Sequence, residues 1–163
     1  MTIPSEWSTL PLERDNQKGA ISQKYQLKSD DEVKFLLYCR EREVAEDVAS
    51  DLRAVLVQPP HKLAQKEYET IEYILRHMSE DDFFARSNVE TKSFGGCTVL
   101  VVEGLWKASS VKNYALFVPG NDRGTIIDEI HFYAPAEKFD LHLPAALEIF
   151  QSIKFVNGVR RAP

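Results

Sequence analysis

Residues 93–155 read SFGGCTVLVVEGLWKASSVKNYALFVPGNDRGTIIDEIHFYAPAEKFDLHLPAALEIFQSIKF. Three apolar, β-prone runs lie close together in this stretch, at 97–105, 114–118 and 126–134. In the first, Cys97, Val99 and Val101 alternate with Leu100, Val102 and Trp106, so both faces are apolar. A strand of that kind belongs in the interior of a sheet, with helix or chain over each side. The second run is built the same way and stops at Pro119 and Gly120. The third divides differently: Ile126, Asp128, Ile130 and Phe132 share one face, and Ile127, Glu129, His131 and Tyr133 share the other. The connections between the runs, a turn at 108–113 and a polar tip at 121–124, are short, which predicts antiparallel neighbours. Gly95 and Gly96 suit a tight turn or a bulge ahead of the first run. They are not a phosphate loop, because no GxxxxGK[ST] follows and the next segment is strand.

Downstream, Pro135 and the residues to 138 break the strand. A helix is predicted over 141–151, with Pro144 in its first turn and Leu143, Ala146, Leu147 and Phe150 on its apolar face. Residues 152–156 read as a short closing strand, and 158–163 as a frayed basic tail.

Upstream, residues 1–19 form an arm that Trp7 and Leu10 pin to the body, 20–27 an edge strand, and 33–39 a strand. Val44, Val48 and Leu52 are spaced by four, which predicts a short amphipathic helix over 40–51. Its charged residues, Glu41, Glu43, Glu46, Asp47 and Asp51, form the solvated side. Residues 54–58 read as a strand cut off by Pro59 and Pro60. A long helix over 62–78 carries Ala64, Tyr68, Ile71, Leu75 and Met78 on one face, with His77 near its end. A polar cap at 79–82 follows, then Phe83 and Phe84, which are expected to close the core together. Residues 88–93 are a polar strand or loop. The expected fold is a single α+β domain over 20–157, a twisted and mainly antiparallel sheet flanked by the long central helix and the C-terminal helix.

Four segments carry a family resemblance. Phe94-Gly95-Gly96-Cys97 enters a strand, and Tyr114-Ala115-Leu116-Phe117 lies in the next. Ala134-Pro135-Ala136-Glu137-Lys138-Phe139 follows the third strand, and Phe150-Gln151-Ser152-Ile153-Lys154-Phe155 closes the domain. With the element order over about 54–155, they resemble the PsbP-like α/β fold. PsbP-type photosystem proteins, DcrB-like bacterial proteins and a nuclear-transport regulator share that fold. The resemblance implies a module that acts by contact with a larger partner and brings no catalytic motif with it.

Composition narrows the function classes. A net charge of -5 argues against non-specific nucleic-acid binding and against docking to anionic lipid. No apolar run approaches the roughly 20 residues of a membrane span, and no secretory pattern opens the chain, so the expected location is cytoplasmic. Cys39 and Cys97 lie in apolar runs and are expected to be buried free thiols. No GxSxG, CxxC or metal-ligand spacing occurs, so no catalytic residue, metal or cofactor is assigned.

The most site-like cluster is Glu129, His131 and Tyr133, successive residues on one strand face about 7 Å apart. Asp128 points the other way, onto an apolar face, and needs a partner such as Lys107 or Arg123. Trp106 leaves its strand beside Lys107, either as a core plug or as an interface anchor. The leading reading is a non-catalytic protein-binding or assembly module. Its site is Trp106, Arg123, Glu129, His131 and Tyr133 at one end of the sheet, its partner is another protein, and a homodimer is compatible with it. The alternative is a small metal-dependent or acid–base enzyme using His131, Glu129 and Asp128.

Overall fold

The computed structural model describes residues 1–41 and 43–154. In chain order the elements are β1 (Trp7–Thr9), β2 (Glu13–Asp15), β3 (Ala20–Leu27), β4 (Asp30–Arg40), α1 (Glu46–Leu56) and α2 (Gln65–Leu75). A 3-10 turn (Arg76–Ser79) follows, then β5 (Phe84–Phe94), β6 (Cys97–Trp106), β7 (Val111–Pro119), β8 (Ile127–Pro135) and α3 (Ala136–Gln151). The strands form one antiparallel sheet in the order β1-β3-β4-β8-β7-β6-β5, with β2 also paired to β3. Among the described residues, no helix is long and apolar enough to cross a membrane.

The alternation read from the sequence decides which residue enters which core. Val99, Val101, Tyr114, Leu116, Val118, Ile130 and Phe132 meet Val33, Phe35 and α3 on one face of the sheet. Leu100, Val102, Ala115, Phe117 and Ile127 meet α1 and α2 on the other. The Gly95–Gly96 pair makes the two-residue turn between paired Phe94 and Cys97, with φ of 56° and 82°. A hairpin turn with both central residues at positive φ matches the twist of its strands, and glycine adopts it without a Cβ clash.

Several expectations are corrected. Residues 54–58 are not a strand: they belong to the C-terminal half of α1 and its exit. Ala49, Leu52, Val55 and Leu56 are buried, a helical spacing that places one face of α1 on the sheet. The 20–27 strand is not an edge, because β1 and β2 pair along its outer side, and Trp7 packs edge-on to Phe35 at 5.0 Å. The helix expected over 62–78 runs only from Gln65 to Leu75. Its start is held by the Glu67 carboxylate, which accepts the Ala64 N–H at 2.9 Å. Phe84 is wholly buried, whereas Phe83 is 55% exposed and does not close the core.

Helix α3 begins five residues earlier than expected, straight from Pro135, which places Pro144 in the helix interior. The carbonyl that loses its partner there is that of Asp140, on the solvent side, where water can satisfy it. Residues 152–154 are not strand; the rest of the expected closing strand and the tail lie outside the described residues.

Cys39 is exposed and Cys97 half-buried, against the expected burial of both. α3 covers Val33 and Phe35 and leaves the far end of β4, where Cys39 stands, bare. Partial desolvation, and then the Asp128 carboxylate, push the Cys39 thiol up. Native-state labelling with a thiol reagent is expected to modify Cys39 first, at a rate that climbs with pH beyond the ordinary thiol range, with Cys97 lagging until denaturant is added. Faster native labelling of Cys97 than of Cys39 would contradict this placement.

Candidate functional site

The face of the sheet under α1 and α2 is only half covered. Strand register sets its rows: Ser22, Tyr38, Glu129, Phe117 and Leu100 in one, and Lys24, Leu36, His131, Ala115 and Val102 in the next. A third row holds Gln26, Lys34, Tyr133 and Asn113. The helices pack on the columns from β5, β6 and β7. On β3, β4 and the near side of β8, the residues Ser22, Lys24, Gln26, Lys34, Leu36, Tyr38 and Tyr133 remain only half-buried.

A polar network marks the seam between the two halves. Arg40 Nε donates to Glu129 Oε1 at 2.9 Å, and Arg40 Nη2 bonds the same oxygen and reaches the Ile74 carbonyl at the end of α2 at 3.5 Å. His131 Nε2 donates to Glu129 Oε2 at 2.9 Å, and its Nδ1 meets the Asn113 side-chain amide at 3.2 Å. Asn113 in turn lies 3.9 Å from the Met78 sulfur. The Arg40 side chain is 6% exposed, and those of Glu129 and His131 12%. Burial pushes the Glu129 carboxyl up, but His131 and the Arg40 guanidinium outweigh it and bring it down to about 2.

Both ring nitrogens of His131 and both oxygens of Glu129 are engaged within the network. Asp128 lies on the opposite face and does not converge with them. Its partner is neither Lys107 nor Arg123: Oδ1 accepts the Arg40 backbone N–H at 3.0 Å, and burial pushes its carboxyl up. His61 stands elsewhere, against Glu67 at 3.2 Å. Among the described residues, no group of three His, Cys, Asp or Glu is placed to hold a metal ion.

The expected five-residue site is not brought together. Trp106 pairs with Val111 at the start of β7, while the loop carrying Arg123 follows Pro119 at its end. Nine residues of strand separate the two ends, about 27 Å. Nor is the 121–124 tip a loose polar loop. Asn121 Oδ1 accepts the Thr125 N–H at 2.9 Å, and Arg53 Nη1 donates to the Arg123 carbonyl. The Arg123 guanidinium lies 3.8 Å from Glu43 and 3.6 Å from Glu46. Glu129 and His131 belong to the buried seam, and Tyr133 alone of the five reaches the open floor.

Sequence reading missed Lys34, Leu36 and Tyr38. The signal was present: within 33–39 they alternate with Val33, Phe35 and Leu37, so the strand has one apolar face and one mixed face. A cavity of about 490 Å³ stands over this floor, lined by Glu13, Asp15, Lys24, Leu36 and Tyr38. Comparison with known proteins returns no matching family model, no matching curated protein and no matching solved structure.

Proposed function

We propose that this chain is a non-catalytic protein-binding module that takes its partner on the open half of the sheet. The observation that carries the reading is the uneven cover of β4 and β8. Phe35 and Phe132 are wholly buried on the α3 face, whereas Lys34, Leu36, Tyr38 and Tyr133 on the other face carry no helix. Two phenols, a leucine and two lysines on a preformed strand floor are the groups that anchor interfaces: apolar bodies with polar tips. Lys24 is paired with Glu13 at 2.8 Å, but Lys34 has no carboxylate partner among the described residues. The partner that fits is a protein segment with an acidic residue over Lys34 and apolar side chains against Leu36 and Tyr38. The PsbP-like resemblance supports a contact role of this kind.

The test is a photo-crosslinking residue at position 38, with position 141 on the exposed side of α3 as control. The expected result is one adduct to a different protein from position 38 and none from 141. Lys34→Glu and Leu36→Asp should abolish the adduct, and Lys34→Glu should shift stability by no more than about 0.5 kcal/mol. Adducts to nucleic acid, to a second copy of this chain, or equally from both positions would overturn the reading.

A further inference from the structure

At the end of the sheet remote from Arg123, the rings of Trp106, Phe83 and His77 border one recess of about 320 Å³, completed by Ala108 and Ser109. The His77 and Phe83 rings stand 6.0 Å apart at 66°, so they form two walls rather than a stack. Trp106 is backed by the buried ring of Phe84 at 4.8 Å, which fixes the indole from behind. The frame is held by main-chain bonds. The Phe83 N–H donates to the Glu80 carbonyl and the Lys107 N–H to the Phe83 carbonyl, each at 3.0 Å. His77 Nδ1 lies 2.7 Å from Glu80 Oε1. The walls are therefore set before any ligand arrives, and Phe83 is left 55% exposed at the cost of ordinary burial.

Aromatic faces carry negative potential and attract cations. In the acidic run that precedes Phe83, Glu80 is engaged by His77 and Asp81 by Arg86, so the rings themselves supply most of that attraction. A plain ammonium would lose its water hydrogen bonds here, because the walls are almost entirely rings and aliphatic carbon. A fully methylated, quaternary ammonium has no N–H bonds to lose and presents a broad apolar surface with dispersed charge. We infer that the Trp106–Phe83–His77 recess binds a quaternary, trimethylated ammonium group. A trimethyllysine side chain and a choline headgroup share that chemistry.

The test follows the Trp106 indole N–H signal of the full chain by NMR during titration with tetramethylammonium chloride and choline. 3,3-Dimethylbutan-1-ol, the neutral shape-mate of choline, serves as control. Saturable shifts are expected for both cations, with the neutral alcohol at least about tenfold weaker. Phe83→Ala removes an exposed wall without touching the core and should weaken the cations about tenfold, while Phe83→Tyr should retain them. Lys107→Glu removes the one cation adjoining Trp106 in sequence and should tighten them. A peptide carrying trimethyllysine distinguishes the sources: tighter binding than choline assigns a lysine side chain, equal or weaker binding a headgroup. Equal affinity for the neutral alcohol, unchanged binding by Phe83→Ala, or no saturable shift of Trp106 would overturn the inference.

Discussion

Arg40→Ala is expected to cost about 3–5 kcal/mol, a large part of the stability of a domain of this size. Arg40 is buried beside Glu129, so its removal leaves His131 as the one remaining side-chain partner of a buried carboxylate that bears its charge in the folded state at neutral pH. The same change frees the Ile74 carbonyl and loosens the join between α2 and the seam. The cost comes from leaving a buried charge under-compensated rather than from the pair being strongly stabilising in itself. A double variant, Arg40→Met with Glu129→Leu, should therefore recover much of the loss. Urea midpoints of the single and double variants measure this directly. A single-variant loss below about 1 kcal/mol would show that the network carries no such charge.

The same carboxyl sets an acid limb. Its folded value, about 2, lies below the ordinary 4.5. Its stabilising contribution is therefore complete above about pH 4.5 and is lost as pH falls toward 2. The wild-type urea midpoint should fall across that window, and Glu129→Gln should flatten the fall.

The sheet was legible because its signal has a period of two. The assignment of Val99, Val101, Leu100 and Val102 to opposite cores, and of Ile130 and His131 to opposite faces, follows from alternation alone. Alpha-helical α1 was read in part as strand because Val55, Leu56 and Val57 are a short apolar run, which suits either period; what decides is the sheet surface beneath it. Pairing Trp106 with Arg123 failed for a reason of topology: successive hairpin turns of an antiparallel sheet lie at opposite ends. The seam was half visible. Glu129 and His131 share a strand, but Arg40 and Asn113 reach them from β4 and β7, and strand register cannot be read from one chain. The recess at Trp106 was invisible as a site because His77 and Phe83 come from the turn after α2, and only the return of β5 beside β6 brings them to the indole.

Phe150→Ala is expected to match the Arg40 variant in size by a different mechanism. Phe150 is wholly buried on α3, and its ring lies 5.2 Å from Phe35, 5.8 Å from Phe94 and 5.6 Å from Tyr114. Those three rings come from β4, β5 and β7, so this one side chain is where α3 meets strands across most of the sheet. Truncation removes the transfer free energy of the ring and leaves a cavity whose rigid aromatic walls cannot collapse into it; about 3–5 kcal/mol is the usual cost. Phe150 shares the anchoring of α3 with buried Phe139, whose ring lies 5.3 Å from Phe132, and with buried Ala146 and Ile149, whereas exposed contacts such as Lys138 to Asp30 and Glu32 contribute little on their own. The urea midpoint should drop with the slope unchanged, because the folded and unfolded surfaces alter little. Phe150→Leu should retain part of the loss, and Phe83→Ala, an exposed phenylalanine in the same chain, should cost well under about 1 kcal/mol. If Phe150→Ala and Phe83→Ala shifted the midpoint equally, α3 would not be held to the sheet by this ring.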